Sequence, residues 1–407
     1  VSWPQAKLDD VISFIRGVTF KPDDLVEPLS SNSTVVMRTK NVQVEGLEQS
    51  DLIAIPSELV KRKEQALCEG DILISSANSW ELVGKASYVP KLNYQATAGG
   101  FISIVRAKQR VIDSRYLYHW ISSPSTQHRI RHCGRQTTNI SNLDVGRFKD
   151  LEIPLPPLTE QKRIAAILDK AGAIRRKRQQ AIQLANEFLR AVFLDMFGDP
   201  VTNPKGWEVR PLVDGIKSII SGWSAKGESY PCNEGEYGVL KISAVTSGKF
   251  NPQENKFVYE KDIPADKKLV FPKKGDLLFS RANTRDLVAA TCIVPKDNNN
   301  VFLPDKLWNV KTSENILLPE YLNYLIWEPR FKGKLTSQAT GTSGSMLNIS
   351  KGKFETTDAI FPDLPLQKKF RSIYWRVQKY IDSLNASLDG CDASFSSLSQ
   401  KAFSGEI

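Results

Sequence analysis

The chain has 407 residues, of which 41% are hydrophobic and 25% are charged, with 55 Lys and Arg against 45 Asp and Glu. This composition excludes a wholly disordered chain, and the length predicts two or three domains. No apolar stretch approaches the ~20 residues that a membrane-spanning helix needs.

The beginning of the chain and its cysteines predict a cytoplasmic protein. The sequence opens VSWPQAKLDD, without a basic and then apolar leader. The five cysteines are dispersed and form no CxxC pair. An odd, scattered set of thiols is typical of a reducing compartment, so we expect neither a disulfide framework nor a zinc site.

Basic residues are concentrated in two regions. Residues 106–149 carry nine Lys and Arg against two Asp, and residues 162–178 carry seven against one Asp. Such clustering fits a polyanionic partner, although many soluble proteins have basic faces that bind nothing.

The predicted elements follow one another in the same order twice. An amphipathic segment after a Trp comes first, and a strand-rich stretch with a Gly–Asp turn before an aliphatic strand comes next. A short helix with apolar residues three and four apart follows, then a polar loop rich in Thr, Ser, Gly and Asn, then a cluster of prolines. In the first copy the turn and strand are GDILIS, the helix is RYLYHWIS and the loop is GRQTTNISN.

The second copy repeats this order as a tandem duplication. Residues 69–90 align without a gap with residues 274–295, at an offset of 205. The short helices match at the same offset, and the proline-rich ends match at 206. The triplet NIS at 139–141 aligns with NIS at 348–350 only if the offset drifts to 209 and then recovers. Each copy of ~200 residues is long enough to hold its own core.

A long amphipathic helix of about 39 residues, roughly 60 Å long, is predicted after each proline cluster. Apolar residues step by three or four along both, which is typical of a helix that pairs with another. An antiparallel pair formed by the two long helices is favoured, and the alternative is that each helix packs only on its own domain. Arg178 interrupts the first seam. The predicted seam residues are Ile164, Ile167, Ile174, Leu189, Phe370, Ile373, Val377, Leu384, Leu388 and Leu398.

No catalytic constellation is evident in the sequence. Gly84-Lys85 is the nearest approach to a phosphate-binding P-loop, but Ser79 stands where the first Gly should be. His128 and His132 have the spacing of metal ligands on a helix, yet no third ligand accompanies them, so a solvated or phosphate-facing pair is expected. A basic, duplicated chain without catalytic residues predicts two DNA-reading domains held at a fixed separation.

Several motifs resemble the specificity subunits of type I restriction–modification systems. They are IPLPPLTEQKRIAAIL at 153–168, LRAVFLDMFGDP at 189–200, the two Gly–Asp strands, NIS in each copy, and LSQKAFSGEI at 398–407. Copy two lacks the Glu that precedes Gln161 in copy one, which leaves the equivalence of the two helix entries open.

The resemblance implies an α+β fold in which two strand-rich target-recognition domains are separated by two long helices. The apolar seams predict that these helices pair as an antiparallel coiled coil, which would give the chain the form of a pseudo-two-fold dumbbell. The expected boundaries are 1–157 for the first recognition domain, 158–199 for the central helix, 200–364 for the second recognition domain and 365–407 for the C-terminal helix.

The resemblance also implies a non-catalytic subunit that binds a split, asymmetric target in double-stranded DNA and has no membrane partner. Two methyltransferase subunits and the restriction/translocase subunits would dock on it. S-adenosylmethionine, ATP and Mg²⁺ would belong to those partners, and no metal or cofactor to this chain. The alternatives are a scaffold that binds nucleic acid without sequence choice and an enzyme in its own right.

Polar and basic residues in the loops are the candidates for base contact, because Arg and Lys match guanine while Asn and Gln match adenine. For any one of them, a phosphate contact or plain surface is the alternative. The candidates are Ser76, Asn78, Arg131, Arg135, Gln136 and Thr138 in copy one, and Arg281, Asn283, Arg285, Lys332, Lys334 and Gln338 in copy two.

Overall fold

A computed structural model describes residues 3–44, 46–136, 140–341 and 346–406, apart from the side chains of residues 135 and 136. The chain divides into two compact units. Unit 1 consists of Val1–Ile182 and Ser383–Ile407, and unit 2 of Gln183–Asp382. Each unit mixes helices and strands, which confirms the predicted α+β class.

Unit 1 begins with fourteen short strands and four short helices. The strands are β1 (Gln5–Lys7), β2 (Ile12–Arg16), β3 (Ser33–Met37), β4 (Val42–Gln43), β5 (Gly46–Leu47), β6 (Ile53–Pro56), β7 (Ile72–Ser75), β8 (Ala77–Asn78), β9 (Ala86–Tyr88), β10 (Ala96–Ala98), β11 (Ile102–Ala107), β12 (Gly134–Gln136), β13 (Ser141–Leu143) and β14 (Glu152–Pro154). The helices are α1 (Leu8–Val11), α2 (Ser114–Ser122), α3 (Pro124–His132) and α4 (Val145–Lys149), and the long helix α5 (Leu158–Phe197) continues into unit 2.

Unit 2 holds the remaining eleven strands of the described residues. They are β15 (Glu208–Pro211), β16 (Ile216–Ser221), β17 (Tyr237–Leu240), β18 (Asn255–Val258), β19 (Leu277–Ser280), β20 (Ala282–Asn283), β21 (Thr291–Ile293), β22 (Val301–Phe302), β23 (Leu307–Thr312), β24 (Leu347–Asn348) and β25 (Asp358–Phe361). The helices are α6 (Ser243–Thr246), α7 (Pro319–Trp327), α8 (Pro329–Ser337) and α9 (Lys351–Glu355), and the long helix α10 (Leu364–Ser404) returns into unit 1. Short 3₁₀ turns cover Pro22–Asp24, Ser57–Leu59, Lys63–Gln65, Leu212–Gly215 and Glu260–Asp262.

The two units share one sheet topology. Unit 1 contains a four-stranded antiparallel sheet in the order β2-β11-β7-β9, and unit 2 contains its counterpart, β16-β23-β19-β21. A mixed three-stranded sheet also recurs, as β10-β3-β6 and as β22-β17-β18, each with one parallel and one antiparallel pairing. This recurrence confirms the duplication that the sequence predicts.

The predicted Gly–Asp turns have the same structure in both units. Gly70 and Gly275 adopt positive φ angles of 93° and 85°, which a glycine tolerates at little cost. The carboxylate of the following Asp71 accepts the Cys68 N–H at 2.8 Å and the Arg106 Nε–H at 2.7 Å. In unit 2, Asp276 accepts the N–H of Lys273 and pairs with Lys311 on β23. A buried Asp therefore ties each turn to an inner strand of its sheet, β11 in unit 1 and β23 in unit 2.

One glutamine forms the same buried network at the start of each long helix. Gln161 is 1% exposed: its Oε1 accepts the Asp113 N–H at 2.8 Å, and its Nε2 donates to the carbonyls of Val111 and Pro156. In unit 2, Gln367 bonds to the counterparts of these three groups, the N–H of Leu318 and the carbonyls of Ile316 and Pro362.

The neighbouring Glu160 pairs with Arg163 on its own helix at 2.6 Å and takes no part in this network. Its absence from copy two therefore leaves the helix entry unchanged.

The long helices pack against each other within each unit. In unit 1, Gly172 of α5 faces Phe395 of α10, and one turn further along α5 Arg175 pairs with Asp392 at 2.5 Å. The contacts advance along α5 while they move back along α10, so the pairing is antiparallel. In unit 2, Phe193 and Phe197 of α5 each lie 5.5 Å from Phe370 of α10, between ring centroids. The alternative in which each long helix packs only on its own domain is therefore wrong.

Most of the predicted seam residues are shielded from solvent. Ile164, Leu189, Phe370, Val377 and Leu384 are buried, and Ile167, Ile373, Leu388 and Leu398 are half-buried.

Ile174 is a correction, because its side chain is 50% exposed. With 3.6 residues per turn, Gly172 and Arg175 occupy the face towards α10 and Ile174 points away from it. Tyr380, at the equivalent position of α10, is 55% exposed for the same geometric reason.

Candidate nucleic-acid interface

In unit 1 a small antiparallel sheet gathers several of the candidate residues. Its strand order is β12-β13-β8. Across it Arg135 pairs with Asn142, and Ser141 pairs with Asn78. Strand β12 directly follows α3, whose last turn carries Arg131. The sheet thus brings the end of α3, the polar loop and the segment after the Gly–Asp strand to one place in the unit.

Unit 2 has the equivalent arrangement in shorter strands. Ala282 of β20 pairs with Asn348 of β24, as Ala77 pairs with Asn142 in unit 1. Asn142 is therefore the counterpart of Asn348, at an offset of 206. The alignment of NIS at 139–141 with NIS at 348–350 is wrong in register, and the apparent drift to 209 disappears. Asn139 itself lies outside the described residues.

The copy-one candidates in the described residues are mostly held by local hydrogen bonds. Ser76 donates to the Phe101 carbonyl at 3.1 Å. The Asn78 Nδ2 donates to Ser75, and its Oδ1 accepts the N–H of Ser79. Arg131 donates to the Gln127 carbonyl on its own helix. Arg135 and Gln136 lie on β12 by their backbone, and Thr138 lies outside the described residues.

Arg281 and Asn283 on the copy-two strand are also held in place. The Arg281 guanidinium donates to the Asp305 carbonyl and carboxylate, both at 2.9 Å. The Asn283 Oδ1 accepts the Thr284 N–H, as Asn78 does with its own neighbour. Arg285, two residues beyond the strand, is exposed. Of the two arginines on this segment, Arg285 is therefore the exposed one and Arg281 is half-buried.

The remaining copy-two candidates hydrogen-bond to the backbone or to side chains of unit 2. Lys332 donates to the Asp286 carbonyl at 2.9 Å and lies 4.4 Å from the Trp327 ring centroid, and burial lowers its pKa. Lys334 donates to the Asp358 carbonyl, and Gln338 donates to the Thr357 hydroxyl. All three sit on or just after α8.

Two aromatic features escaped prediction from the sequence. Trp80 occupies the position equivalent to Arg285 and packs edge-on against His132, with ring centroids 5.4 Å apart. In unit 2, Tyr230 stacks on Phe257 at 5.6 Å, and Tyr259 lies beside the Lys261 ammonium. The alternation of aromatic residues and Lys in NKFVYEK was the available signal, but this segment has no counterpart in the aligned blocks.

The faces that α2 and α7 present to the long helices differ in charge. In unit 1, Asp169 of α5 accepts from Arg115 at 2.7 Å and bonds to His119 at 2.9 Å. Burial alone would raise the pKa of Asp169, but its bonds to His119 and Arg115 outweigh burial and hold that pKa below its usual value. In unit 2 the same positions carry Glu320 and Trp375, and the indole Nε1 donates to the carboxylate at 2.8 Å.

The predicted histidine pair lies on α3, in the described part of the chain. No three His, Cys, Asp or Glu side chains there are placed to hold an ion. The ring centroids of His128 and His132 lie 4.3 Å apart with the rings tilted by 51°, and His132 Nδ1 bonds to the His128 carbonyl. Among the same residues, no helix is both long and apolar enough to span a bilayer.

Comparison with known proteins identifies relatives of the whole chain. The specificity subunit of the type I restriction enzyme EcoKI from Escherichia coli (strain K12) is 25% identical, over 100% of this chain and 89% of the relative. The StySPI specificity subunit from Salmonella potsdam is 23% identical over the same shares.

Two solved structures share the fold. The type I restriction–modification S subunit from M. genitalium has a TM-score of 0.57 at 14% identity, covering 99% of this chain and 96% of that one. A chain from a structure of type I R-M complex assembly and conformational transition has a TM-score of 0.52 at 16% identity, covering 100% and 98%.

The family comparison agrees with the resemblance read from the sequence motifs. Residues 1–184 match the family model described as the type I restriction modification DNA specificity domain. This match shows that residues 1–184 belong to the family of type I restriction modification DNA specificity domains, and the whole chain is similar to the specificity subunits of type I restriction enzymes.

Proposed function

We propose that the chain reads a bipartite, asymmetric DNA target, with one half-site for each unit. The small sheet at β8 and β13 would approach one half-site, and its counterpart at β20 and β24 the other. Residues 1–157 and 200–364 would act as the two recognition domains. The bases between the half-sites would go unread.

The observation that carries this proposal is that the two units share their framework but differ at the candidate reading positions. The buried Gln161 and Asp71 networks recur in unit 2 with partners at the equivalent positions. On the segment after the Gly–Asp strand, by contrast, Ser76 is replaced by Arg281 and Trp80 by Arg285. To read two half-sites of different sequence, the two units need different side chains facing the base edges on the same framework.

The helices at 158–199 and 365–407 would set the separation of the half-sites. Helices α5 and α10 have 40 and 41 residues, and each contributes residues to both units. A continuous helix is stiff over this length, about 60 Å at 1.5 Å per residue, so it can fix a spacing.

Catalysis would belong to partner subunits, and this chain would be non-catalytic. Two methyltransferase subunits would dock on the long helices, and restriction/translocase subunits would join the larger complex. The partners would bring S-adenosylmethionine, ATP and Mg²⁺, and the methyltransferase would flip and modify the adenine. All of this would take place in the cytoplasm.

A methylome tests the proposal. The chain is co-expressed with its cognate methyltransferase subunits in a host without such a system, and N6-methyladenine is mapped by single-molecule sequencing. We expect methylation at one interrupted, asymmetric motif, and exchange of residues 200–364 for those of another specificity subunit should change one half of it only. Methylation at a continuous or symmetric motif would contradict the bipartite reading.

Two alternatives predict different results with the purified chain. A scaffold without sequence choice would be displaced from target DNA equally well by random-sequence and target competitors. An enzyme in its own right would cut or methylate DNA without partner subunits when given S-adenosylmethionine, ATP and Mg²⁺.

Arg285 is the copy-two side chain proposed to read a base. We expect Arg285→Ala to reduce discrimination at one base pair by about 5- to 150-fold, because a bidentate contact to guanine contributes roughly 1–3 kcal/mol. The measurement is competition binding against targets substituted at each position. Arg281→Ala is the comparison, since its donors are already engaged by Asp305. A uniform loss of affinity across all sequences for Arg285→Ala would indicate a phosphate contact instead.

A further inference from the structure

A tight turn follows the short strand beside the polar loop in both units. It covers residues 79–84 after β8 and residues 284–289 after β20. The N–H of its fourth residue donates to the carbonyl of its first residue at 3.1 Å in both copies. The asparagine before the turn accepts the first N–H with its side chain, at 2.9 Å in unit 1 and 2.8 Å in unit 2. The two turns therefore share one backbone geometry.

Each turn is fixed to the body of its unit. Its fifth residue, Val83 or Val288, is fully buried. Gln127 of α3 donates to a backbone carbonyl of the unit 1 turn at 2.9 Å. Lys332, at the equivalent position of α8, does the same in unit 2, also at 2.9 Å. A backbone held in this way presents its outward side chains in a defined direction.

The outward positions of the turn are partly different and partly the same in the two units. The second position carries Trp80 in unit 1 and Arg285 in unit 2, and the third is acidic in both. The fourth position is leucine in both, and neither leucine is buried: Leu82 is 42% exposed and Leu287 is 38% exposed. Single exposed leucines are common on protein surfaces. Here, however, the leucine recurs on a fixed turn next to each proposed reading sheet.

The acidic residue of the turn argues against a DNA phosphate as its partner. Glu81 and Asp286 are both exposed, and a carboxylate beside a phosphate is repelled by it. Base edges in the major groove are different, because they offer amino donors and, on thymine, a methyl group. A carboxylate and a leucine side by side therefore match base edges better than they match the sugar–phosphate backbone.

We propose that Leu82 and Leu287 each contact the methyl group of a thymine, and that this thymine is the partner of the modified adenine in that half-site. The inference rests on the proposed function. Two half-sites of different sequence still share one base pair, because each must offer an adenine to a methyltransferase subunit. The residue that the two turns share would thus read the base pair that the two half-sites share.

Base flipping leaves this contact intact. When the adenine leaves the stack, its thymine stays in the opposite strand with the methyl group at the major-groove edge. An aliphatic side chain suits this methyl group, because both are apolar. The residues that differ between the turns, Trp80 and Arg285, would then distinguish the neighbouring bases.

The test uses the complex of the full chain with its cognate methyltransferase subunits, and duplexes that carry the motif found in the methylome. Deoxyuridine, which lacks only the methyl group, replaces the thymine opposite the modified adenine in one half-site at a time. We expect each replacement to weaken binding about fourfold, the factor for one buried methyl group. Leu82→Ala should abolish this sensitivity in the unit 1 half-site alone, and Leu287→Ala in the unit 2 half-site alone.

The ratio of thymine to uracil binding separates a contact from a structural role, since a destabilised turn would weaken both duplexes alike. Deoxyuridine at thymines of the unread spacer is the DNA control and should leave binding unchanged. Equal binding of thymine and uracil duplexes by the wild type would overturn the proposal. So would a sensitivity that persists in the folded variants. A methylome without a modified adenine in each half-site would instead refute the proposed function, and this inference with it.

Discussion

Replacing Phe370 with alanine is expected to destabilise unit 2 by about 4 kcal/mol, within the range for deleting a buried aromatic side chain. Phe370 is fully buried. Its ring lies 5.5 Å from both Phe193 and Phe197 and 5.4 Å from Tyr324, between centroids. The substitution removes the ring that joins the α5 and α10 segments of unit 2, so the contact between the helices is lost together with the buried area.

Urea unfolding followed by tryptophan fluorescence measures this effect. Tyr380→Ala is the matched control, because it removes an aromatic ring from the same helix at a position that is 55% exposed. We expect the control to change the free energy of unfolding by no more than about 0.5 kcal/mol. A loss below about 1 kcal/mol for Phe370→Ala would mean that α5 and α10 do not share this core in solution.

The duplication let much of the fold be predicted from the sequence. Gly70 and Gly275 mark the same turn at one offset, and the two long helices follow prolines in both copies. A repeat shows such features because both copies must satisfy the same backbone geometry. The polar loop is an exception. Its identical NIS triplets suggest one alignment, whereas the strand register makes Asn142 the equivalent of Asn348. Identical triplets carry little weight where the neighbouring residues differ.

Along part of α5, the seam predicted from the sequence lies one residue away from the face that contacts α10, and the reason is physical. Apolar stripes that step by three or four residues overlap on a helix, and hydrophobicity alone favours the stripe that contains Ile174. The face that contacts α10 is instead formed by Gly172 beside Phe395 and by the ion pair of Arg175 with Asp392. A glycine and a charged residue give no apolar signal, so the sequence alone could not locate this face.

The candidate site was predictable as a region but not residue by residue. The sequence indicated the segment after each Gly–Asp strand, and the structure brings those segments next to the polar loops. Which side chains are engaged depends on partners distant in sequence, such as Asp305 for Arg281. Trp80 differs from these cases, because the gap-free alignment already places it opposite Arg285, and only its contact with His132 required the structure.

Gln161→Leu is expected to destabilise unit 1 by about 3 kcal/mol. Leucine keeps the volume but leaves the Asp113 N–H and the carbonyls of Val111 and Pro156 without partners. Each buried group left unsatisfied costs about 1–3 kcal/mol, with some relief from water at the helix start. Gln367→Leu should have an effect of similar size in unit 2, because Gln367 makes the same three bonds.

Thermal and urea unfolding of both variants, with Glu160→Ala as the control, checks this expectation. Glu160 is adjacent in sequence but pairs only with Arg163 on the exposed side of the helix, so its loss should cost no more than about 0.5 kcal/mol. If Glu160→Ala were as damaging as Gln161→Leu, the exposed ion pair would anchor the helix entry. The two copies would then differ in how their long helices begin, because copy two has Leu366 where copy one has Glu160. A large loss for both glutamine variants and a small one for Glu160→Ala would instead establish the glutamine as the shared anchor.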